Sequence, residues 1–428
     1  MHRDIVDPVV LRVTGRRLLC GLALPLLMLT CGMVAVPTFA KGTDRATNSA
    51  PAKLISMQRR TAPKAIKADE YLLIHDMPGV RGHAIEASTL LFVPKGKVPA
   101  GGWPVVAWVH GAATWSDKAR APSMSADLDG GLTRDGFISN YVFMIASLVD
   151  TGYAVVAPDL EGLGPVASEP APYYNAASSA RSVIAAVHAA RQAKPSLSKR
   201  WAVVGHSDGG RGALAVESYV AEAADLDLKG IVALAPFTSI EASVRRFGDL
   251  ARNNPAKADE LVALQNFYVA GMATGLIAEN ASYDLVSVMG TDLQKLLPVI
   301  RMQGSPGAIA TVTKTVTAKT PAGFRGFKAD WSTEPAMAAF LAANDPAAIP
   351  SFRLRLPTLI AQGTDDGFVA EPLTAAFSAK LVAIGSPVTY RTYAATDHLS
   401  IVKAANSDVL AFLTRLLPTH RHWRGQSG

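Results

Sequence analysis

The chain has 428 residues, 49% of them hydrophobic and 18% charged, with a formal net charge of +7. This globular, rather apolar composition argues against a disordered chain, and the length suits two or three domains or one large α/β core with an insertion. Apart from a short basic tail at His420 to Arg424 the charge is scattered, with no basic stripe interleaved with aromatics, which argues against a nucleic-acid partner.

The first 40 residues read as a signal peptide. Arg12, Arg16 and Arg17 precede an apolar run from Leu18 to Val36, and small residues follow at Thr38 and Ala40. Cleavage is expected after Ala40, giving a secreted or periplasmic protein. The alternative is an uncleaved N-terminal membrane anchor, since a run of about 19 residues is long enough to span a bilayer. The Arg16-Arg17 pair fits a twin-arginine route, whereas "MLTC" lacks the small residue that a lipoprotein anchor sets before its cysteine. Cys20 and Cys31 both lie in this segment, so the mature chain is expected to carry no disulfide and no thiolate-bound zinc. The segment holds a net charge of +2 and leaves +5 on the remainder, a mildly basic surface that favours anionic interfaces.

Residues 41–67, rich in Ala, Thr, Ser and Lys, are expected to be a mobile lead-in. Short β-branched runs then alternate with helical stretches. The strands are expected at Ser88–Pro94, Pro104–His110, Tyr153–Pro158, Trp201–His206, Gly230–Ala235, Pro357–Gly363 and Pro387–Tyr393. Several are continuously apolar, as strands covered on both faces must be. Helices are expected at Ala176–Gln192, Asp208–Ala224, Glu371–Ile384 and Ser400–Leu416. The alternation predicts an α/β fold, a mostly parallel sheet flanked by helices. It stops over residues 237–350, which read as an inserted helical cap containing "ADELVALQNFYVAGMATGLI" and "EPAMAAFLAAN", with Gly304 to Phe327 irregular. The core is therefore expected over 68–236 and 351–418, with a flexible tail at 419–428.

Gly205-His206-Ser207-Asp208-Gly209 fits the G-x-S-x-G pattern, with a strand leading in and a helix leading out. A serine on such a turn needs a strained backbone, so its neighbours two residues away must be small. The helix that follows aims its N–H groups at the serine, where negative charge would develop. A hydroxyl also needs a base. His2, His420 and His422 are terminal, His75 and His83 precede the core, His110 and His206 sit at strand ends, and His188 lies in a helix. His398 follows a late strand and opens the last helix, the position of the base in a serine, acid, histidine chain order. The acid belongs on the loop after the preceding strand, where Asp366 is favoured over Asp365; Asp397 is expected to be a surface loop residue. An oxyanion hole needs two N–H donors: the backbone of Asp208, and that of Ala112 after "VHG", with Ala113 as its competitor. His110 is expected to hold that loop by a hydrogen bond. The Asp208 carboxylate would oppose a forming oxyanion, and Arg211, one turn on, is expected to pair with it.

These residues and their surroundings resemble the secretory lipase family of α/β-hydrolases, the group that includes the fungal lipase A enzymes. The likeness spans Leu90 to Val402 and rests on "AGGWPVVAWVHG", "ARAPSMS", "GYAVVAPDLEGLG", "WAVVGHSDGG" and "FLAANDPAAIPSF". By motif match the family's serine falls on Ser207, its acid on Asp366 and its histidine on His398. The resemblance implies an α/β-hydrolase fold with a helical cap, and hydrolysis of acyl esters, including triacylglycerols, without cofactor or metal. The sequence departs from the family in carrying Asp208 after the serine and "SEPAPYY" where the family has His-Pro-Tyr. The expected function is an exported serine carboxylester hydrolase of lipase type, acting on a small-molecule or lipid ester, with a lipid–water interface as a further partner. The alternatives are an amide hydrolase or acyltransferase on the same triad, and a non-catalytic binding protein on a hydrolase fold.

Overall fold

The computed structural model describes residues 51–112, 137–303, 305–319 and 323–419. The expected signal peptide, residues 41–50 of the lead-in, the "ARAPSMS" segment, Ala113 and the tail from 420 lie outside the described residues.

Nine strands form one sheet: β1 (Leu54–Arg60), β2 (Ala68–Pro78), β3 (Ala84–Pro94), β4 (Trp103–Val109), β5 (Ala154–Pro158), β6 (Leu197–His206), β7 (Asp227–Leu234), β8 (Thr358–Gly363) and β9 (Val388–Tyr393). Their spatial order is β1-β2-β3-β5-β4-β6-β7-β8-β9. The six strands from β4 to β9 run parallel, and β1 to β3 extend the sheet antiparallel beyond β5. The flanking helices are α1 (Phe137–Thr151), α2 (Ala176–Ala193) and α3 (Asp208–Val216). Between β7 and β8 come α4 (Ile240–Asn253), α5 (Ala258–Glu279), α6 (Thr291–Ile300), α7 (Ser305–Lys319) and α8 (Pro335–Asn344). The chain closes with α9 (Glu371–Ala383), α10 (Ile401–Ala404) and α11 (Asn406–Leu416).

The unbroken apolar runs have a simple cause. Side chains alternate across a strand, and both faces of this sheet are covered. Val105, Ala107 and Val109 of β4 join Val203 and Ile231 beneath α2 and α3. Val106 and Trp108 join Val204 and Val232 on the opposite face, beneath α1 and α11. Each such fully buried Val or Leu contributes about 1.5–3 kcal/mol relative to exposure.

The helices between β7 and β8 have their own core, in which Phe267, Met272, Leu293, Val312, Trp331 and Phe340 meet. Helix α5 is apolar enough to cross a membrane by composition, but 78% of its most apolar window is buried, so it is the central helix of this layer. One side chain at the end of α8 ties the layer to a sheet-packing helix, and the next closes the layer on itself. The Asn344 Oδ1 accepts the first N–H of α2, from Ala176, at 2.8 Å. Asp345, buried, accepts from Ser239 (3.0 Å), Ile240 (2.7 Å) and Ala347 (3.0 Å), and so caps the start of α4.

Four expectations are corrected. Residues 54–60 of the supposed mobile lead-in form β1, and β2 extends the sheet with a buried His75 inside it, so the core begins ahead of residue 68. The signal was weak because β1 exposes most of its side chains; it is held by backbone pairing to β2 and by Arg59–Asp69 and Arg60–Glu70 ion pairs. Residues 305–319, expected to be irregular, are helix α7. Its Ala308, Val312 and Val316 form a buried stripe at helical spacing, while Thr313 and Thr315 donate to carbonyls four residues back. Helix α1 carried no expectation. The last expected helix is broken at Ala405 into α10 and α11, and α3 gives way after Val216 to a tighter turn over Glu217–Ala223.

Asp345→Ala would leave three N–H groups without an acceptor. It is expected to lower the unfolding free energy by about 3 kcal/mol, read by urea denaturation, while Glu260→Ala on the exposed side of α5 leaves it within about 0.5 kcal/mol.

Candidate active site

Ser207 stands between β6 and α3 at φ 58° and ψ −121°, a left-handed conformation that side chains resist. The turn is held by its own backbone. Ser207 N–H donates to Leu234 at 2.9 Å, and its carbonyl accepts from Arg211 at 3.1 Å and Phe237 at 3.0 Å. Glycine is required on both sides. A Cβ at Gly205 would collide with the Gly209 carbonyl, and one at Gly209 with the carbonyls of Val109 and His110.

The turn presents the Ser207 hydroxyl to His398, whose Nε2 is 2.9 Å from Oγ. His398 Nδ1 lies 2.8 Å from Asp366 Oδ2. A carboxylate only accepts, so Nδ1 carries the proton and Nε2 is left as the acceptor for the serine. Asp366 is itself fixed: Oδ1 accepts from Phe368 (2.9 Å) and Val369 (2.8 Å), and Oδ2 from Gln362 Nε2 (2.9 Å). Burial opposes its ionisation, but the charge and hydrogen bond of His398 and the two N–H donors outweigh that, so the carboxyl titrates below its usual range. Asp365 is exposed and accepts from Thr364, 2.9 Å away. Asp397 is exposed and accepts from Leu399 and Ser400, which caps the turn behind His398.

His110 Nδ1 is 2.7 Å from the Gly111 carbonyl. Burial drives the His110 pKa down, so the ring is neutral with its proton on Nδ1. Because a trans peptide sets C=O and N–H in opposite directions, pinning the Gly111 carbonyl also aims the Ala112 N–H. The Ala112 carbonyl accepts from Ser305 Oγ of α7 at 2.7 Å. Ala112, Ser207, Asp208 and His398 line one cavity of about 290 Å³, whose remaining wall is mostly aromatic and aliphatic, with Phe237, Phe267, Tyr268 and Ile309. No group of His, Cys, Asp and Glu among the described residues is arranged to hold a metal ion.

Asp208 and Arg211 pair as expected from their spacing. Arg211 Nε donates to Asp208 Oδ1 at 2.7 Å, with Arg211 fully buried and Asp208 5% exposed. Arg211 also lies over the Tyr174 ring, 5.7 Å from its centroid. Gln362 and Ser305 are among the supporting residues missed in the sequence. Gln362 is a long polar side chain at the end of the mostly apolar "PTLIAQG", fully buried, which is the signal that marks it. Ser305 gave no signal, because it touches Ala112 only through the tertiary fold.

A family model described as alpha/beta hydrolase fold matches residues 104–405, and the chain belongs to that family. Its structure is similar to the rice cell wall degrading esterase LipA from Xanthomonas oryzae, with a TM-score of 0.63 and 19% identity over 85% of this chain and 98% of that one. It is also similar to Candida antarctica lipase A, with a TM-score of 0.65 and 16% identity over 86% of this chain and 83% of that one. No curated protein matches it in sequence.

Removing one member of the buried Asp208–Arg211 pair strands the other. Arg211→Met is expected to destabilise the protein by about 3–5 kcal/mol in urea denaturation, and joint Asp208→Leu, Arg211→Met replacement by much less. A single replacement costing under about 1 kcal/mol would show that the pair does not hold the turn.

Proposed function

We propose that the protein is a serine carboxylester hydrolase of the lipase and esterase type, exported through its N-terminal segment. One observation carries the reading: a continuous hydrogen-bond chain from Ser207 through His398 to Asp366, opening on an apolar cavity. The relatives of similar fold, an esterase and a lipase by name, support it.

In this mechanism Ser207 Oγ attacks the ester carbonyl carbon and its proton passes to His398 Nε2. The carbonyl oxygen becomes an oxyanion, stabilised by the N–H groups of Ala112 and Asp208 at the positive end of α3. The tetrahedral intermediate collapses, the C–O bond breaks, and the alcohol leaves with the proton from His398. Water then gives its proton to His398 and attacks the acyl-enzyme. The second collapse releases the carboxylic acid and restores the serine. The charge that Asp366 carries stabilises the imidazolium formed in both steps. No cofactor enters this sequence. The aromatic cavity wall suits an acyl chain, and a lipid–water interface is the natural source of such a substrate.

Nitrophenyl esters from two to sixteen carbons should be cleaved by the wild type and not by Ser207→Ala, and a fluorophosphonate should label Ser207. Asp366→Asn should lower kcat by roughly 10⁴-fold. Brisk cleavage of amide analogues with no ester turnover would replace this reading by an amidase. Export makes a separate prediction: protein recovered outside the cytoplasm should begin at Lys41, and an intact Met1 on a membrane-bound form would establish the anchored alternative.

A further inference from the structure

Behind His398, away from the cavity, lies a second hydrogen-bond chain. His206 Nε2 is 2.7 Å from the His398 carbonyl, and His206 Nδ1 is 2.8 Å from the Tyr141 hydroxyl. Tyr141 Oη in turn accepts the Gly111 N–H at 3.1 Å. Beside it, Asn140 Nδ2 donates to the next carbonyl of the His398 loop, that of Leu399, at 3.1 Å. His206 is fully buried and Tyr141 nearly so, and neither lines the cavity.

The proton positions in this chain are determined. A carbonyl oxygen only accepts, so His206 Nε2 carries a proton. Burial, reinforced by the neighbouring His398, lowers the His206 pKa to about 3, so the ring is neutral and Nδ1 is bare. Nδ1 must then receive the Tyr141 proton, and burial keeps that phenol protonated by raising its pKa. Tyr141 Oη is thereby left to accept from Gly111. Through these contacts the chain runs one way, from the Gly111 N–H to the His398 carbonyl.

Its two ends are the two halves of the proposed machinery. Gly111 precedes Ala112, the proposed oxyanion donor, and His398 is the proposed proton acceptor. We infer that Tyr141 and His206 are positioning residues that hold the general base and the oxyanion loop in register with each other; this rests on the hydrolase reading of Ser207, His398 and Asp366. The choice of a neutral imidazole matters as well as its shape. The His206 and His398 rings are 4.8 Å apart, centroid to centroid. A cation at that distance would oppose the imidazolium that His398 must become, and His206 grips the His398 backbone without supplying one. Gly111 is small for the same reason that the chain is tight: a Cβ there would sit 2.9 Å from the Tyr141 hydroxyl and 3.1 Å from the Ser207 Cβ.

The test compares Tyr141→Phe, His206→Ala and His206→Gln on the best nitrophenyl ester, with thermal melts to confirm folding. Tyr141→Phe and His206→Ala should lower kcat by roughly 10- to 100-fold with KM held within about threefold. His206→Gln, whose amide N–H reaches toward the His398 carbonyl, should recover most of the His206→Ala loss. The low-field proton NMR signal of the His398–Asp366 hydrogen bond should move in Tyr141→Phe. Nitrogen shifts on the wild type should show His206 neutral and protonated at Nε2 across the neutral range. Unchanged kcat in both Tyr141→Phe and His206→Ala overturns the inference, as does an equal loss in His206→Gln and His206→Ala. If Tyr141→Phe does not fold, a His206 protonated at Nδ1 in the wild type overturns it. If the wild type cleaves no ester, the hydrolase reading falls, and the NMR signals alone decide whether the clamp exists.

Discussion

The left-handed turn at Ser207 is the constraint on which the rest depends. Holding a non-glycine residue there costs about 1–3 kcal/mol, and the surroundings must over-determine it. They do so by three backbone hydrogen bonds to Leu234, Arg211 and Phe237, and by two glycines: Gly205 lets the start of α3 pass against the end of β6, and Gly209 lets it pass against the end of β4. The strand turns abruptly into a helix, and the hydroxyl projects at the carboxyl ends of the parallel strands. Any partner must then come from a loop that follows another parallel strand. Gly111 and Ala112 follow β4, Asp366 follows β8 and His398 follows β9. Sheet order, more than sequence proximity, decides which residues meet there.

The electrostatics follow from burial. The start of α3 supplies positive potential at the serine, and a free carboxylate at position 208 would cancel much of it. Arg211, fully buried, draws that charge into a pair inside the turn. His110 and His206 lie within the same neighbourhood, and burial keeps both neutral. Their role is therefore directional, each presenting one N–H to one carbonyl. Asp366 stays charged despite burial because a histidine and two backbone N–H groups face it.

The meeting of Ser207, Asp366 and His398 was legible in the sequence because each follows a strand that is itself legible: "WAVVGH", "PTLIAQG" and "PVTYRTY" are short, β-branched and bounded by turn residues. The Asp208–Arg211 pairing was legible because three residues along a helix is one face. What escaped falls into two kinds. Strand β1 and helix α7 carry patterns diluted by their surroundings: one lies on an exposed sheet edge, the other hides three buried apolar residues among threonines and lysines. Gln362, Tyr141 and Ser305 are of the other kind. Each acts on a residue reached only through the fold, and the Tyr141-to-Gly111 contact joins a helix that the sequence did not announce to a loop 30 residues earlier.

The helical layer between β7 and β8 is more than an insertion on a finished sheet. The Tyr268 ring of α5 stacks on Phe237 at the mouth of the serine turn, with centroids 4.6 Å apart. Ser305 of α7 donates to the carbonyl of Ala112, the residue whose N–H faces the cavity on the proposed mechanism. The last residues of the layer, Asn344 and Asp345, cap α2 and α4, so one dipeptide fixes the start of a sheet-packing helix and the start of the layer itself. Chain that closes a cavity can be replaced without disturbing what lies beneath it only if the two share no polar contacts. Here they share a hydrogen bond at the Gly111–Ala112 loop and the cap of α2. The shape of the cavity and the geometry of the loop that borders it are therefore set together, by the same packing.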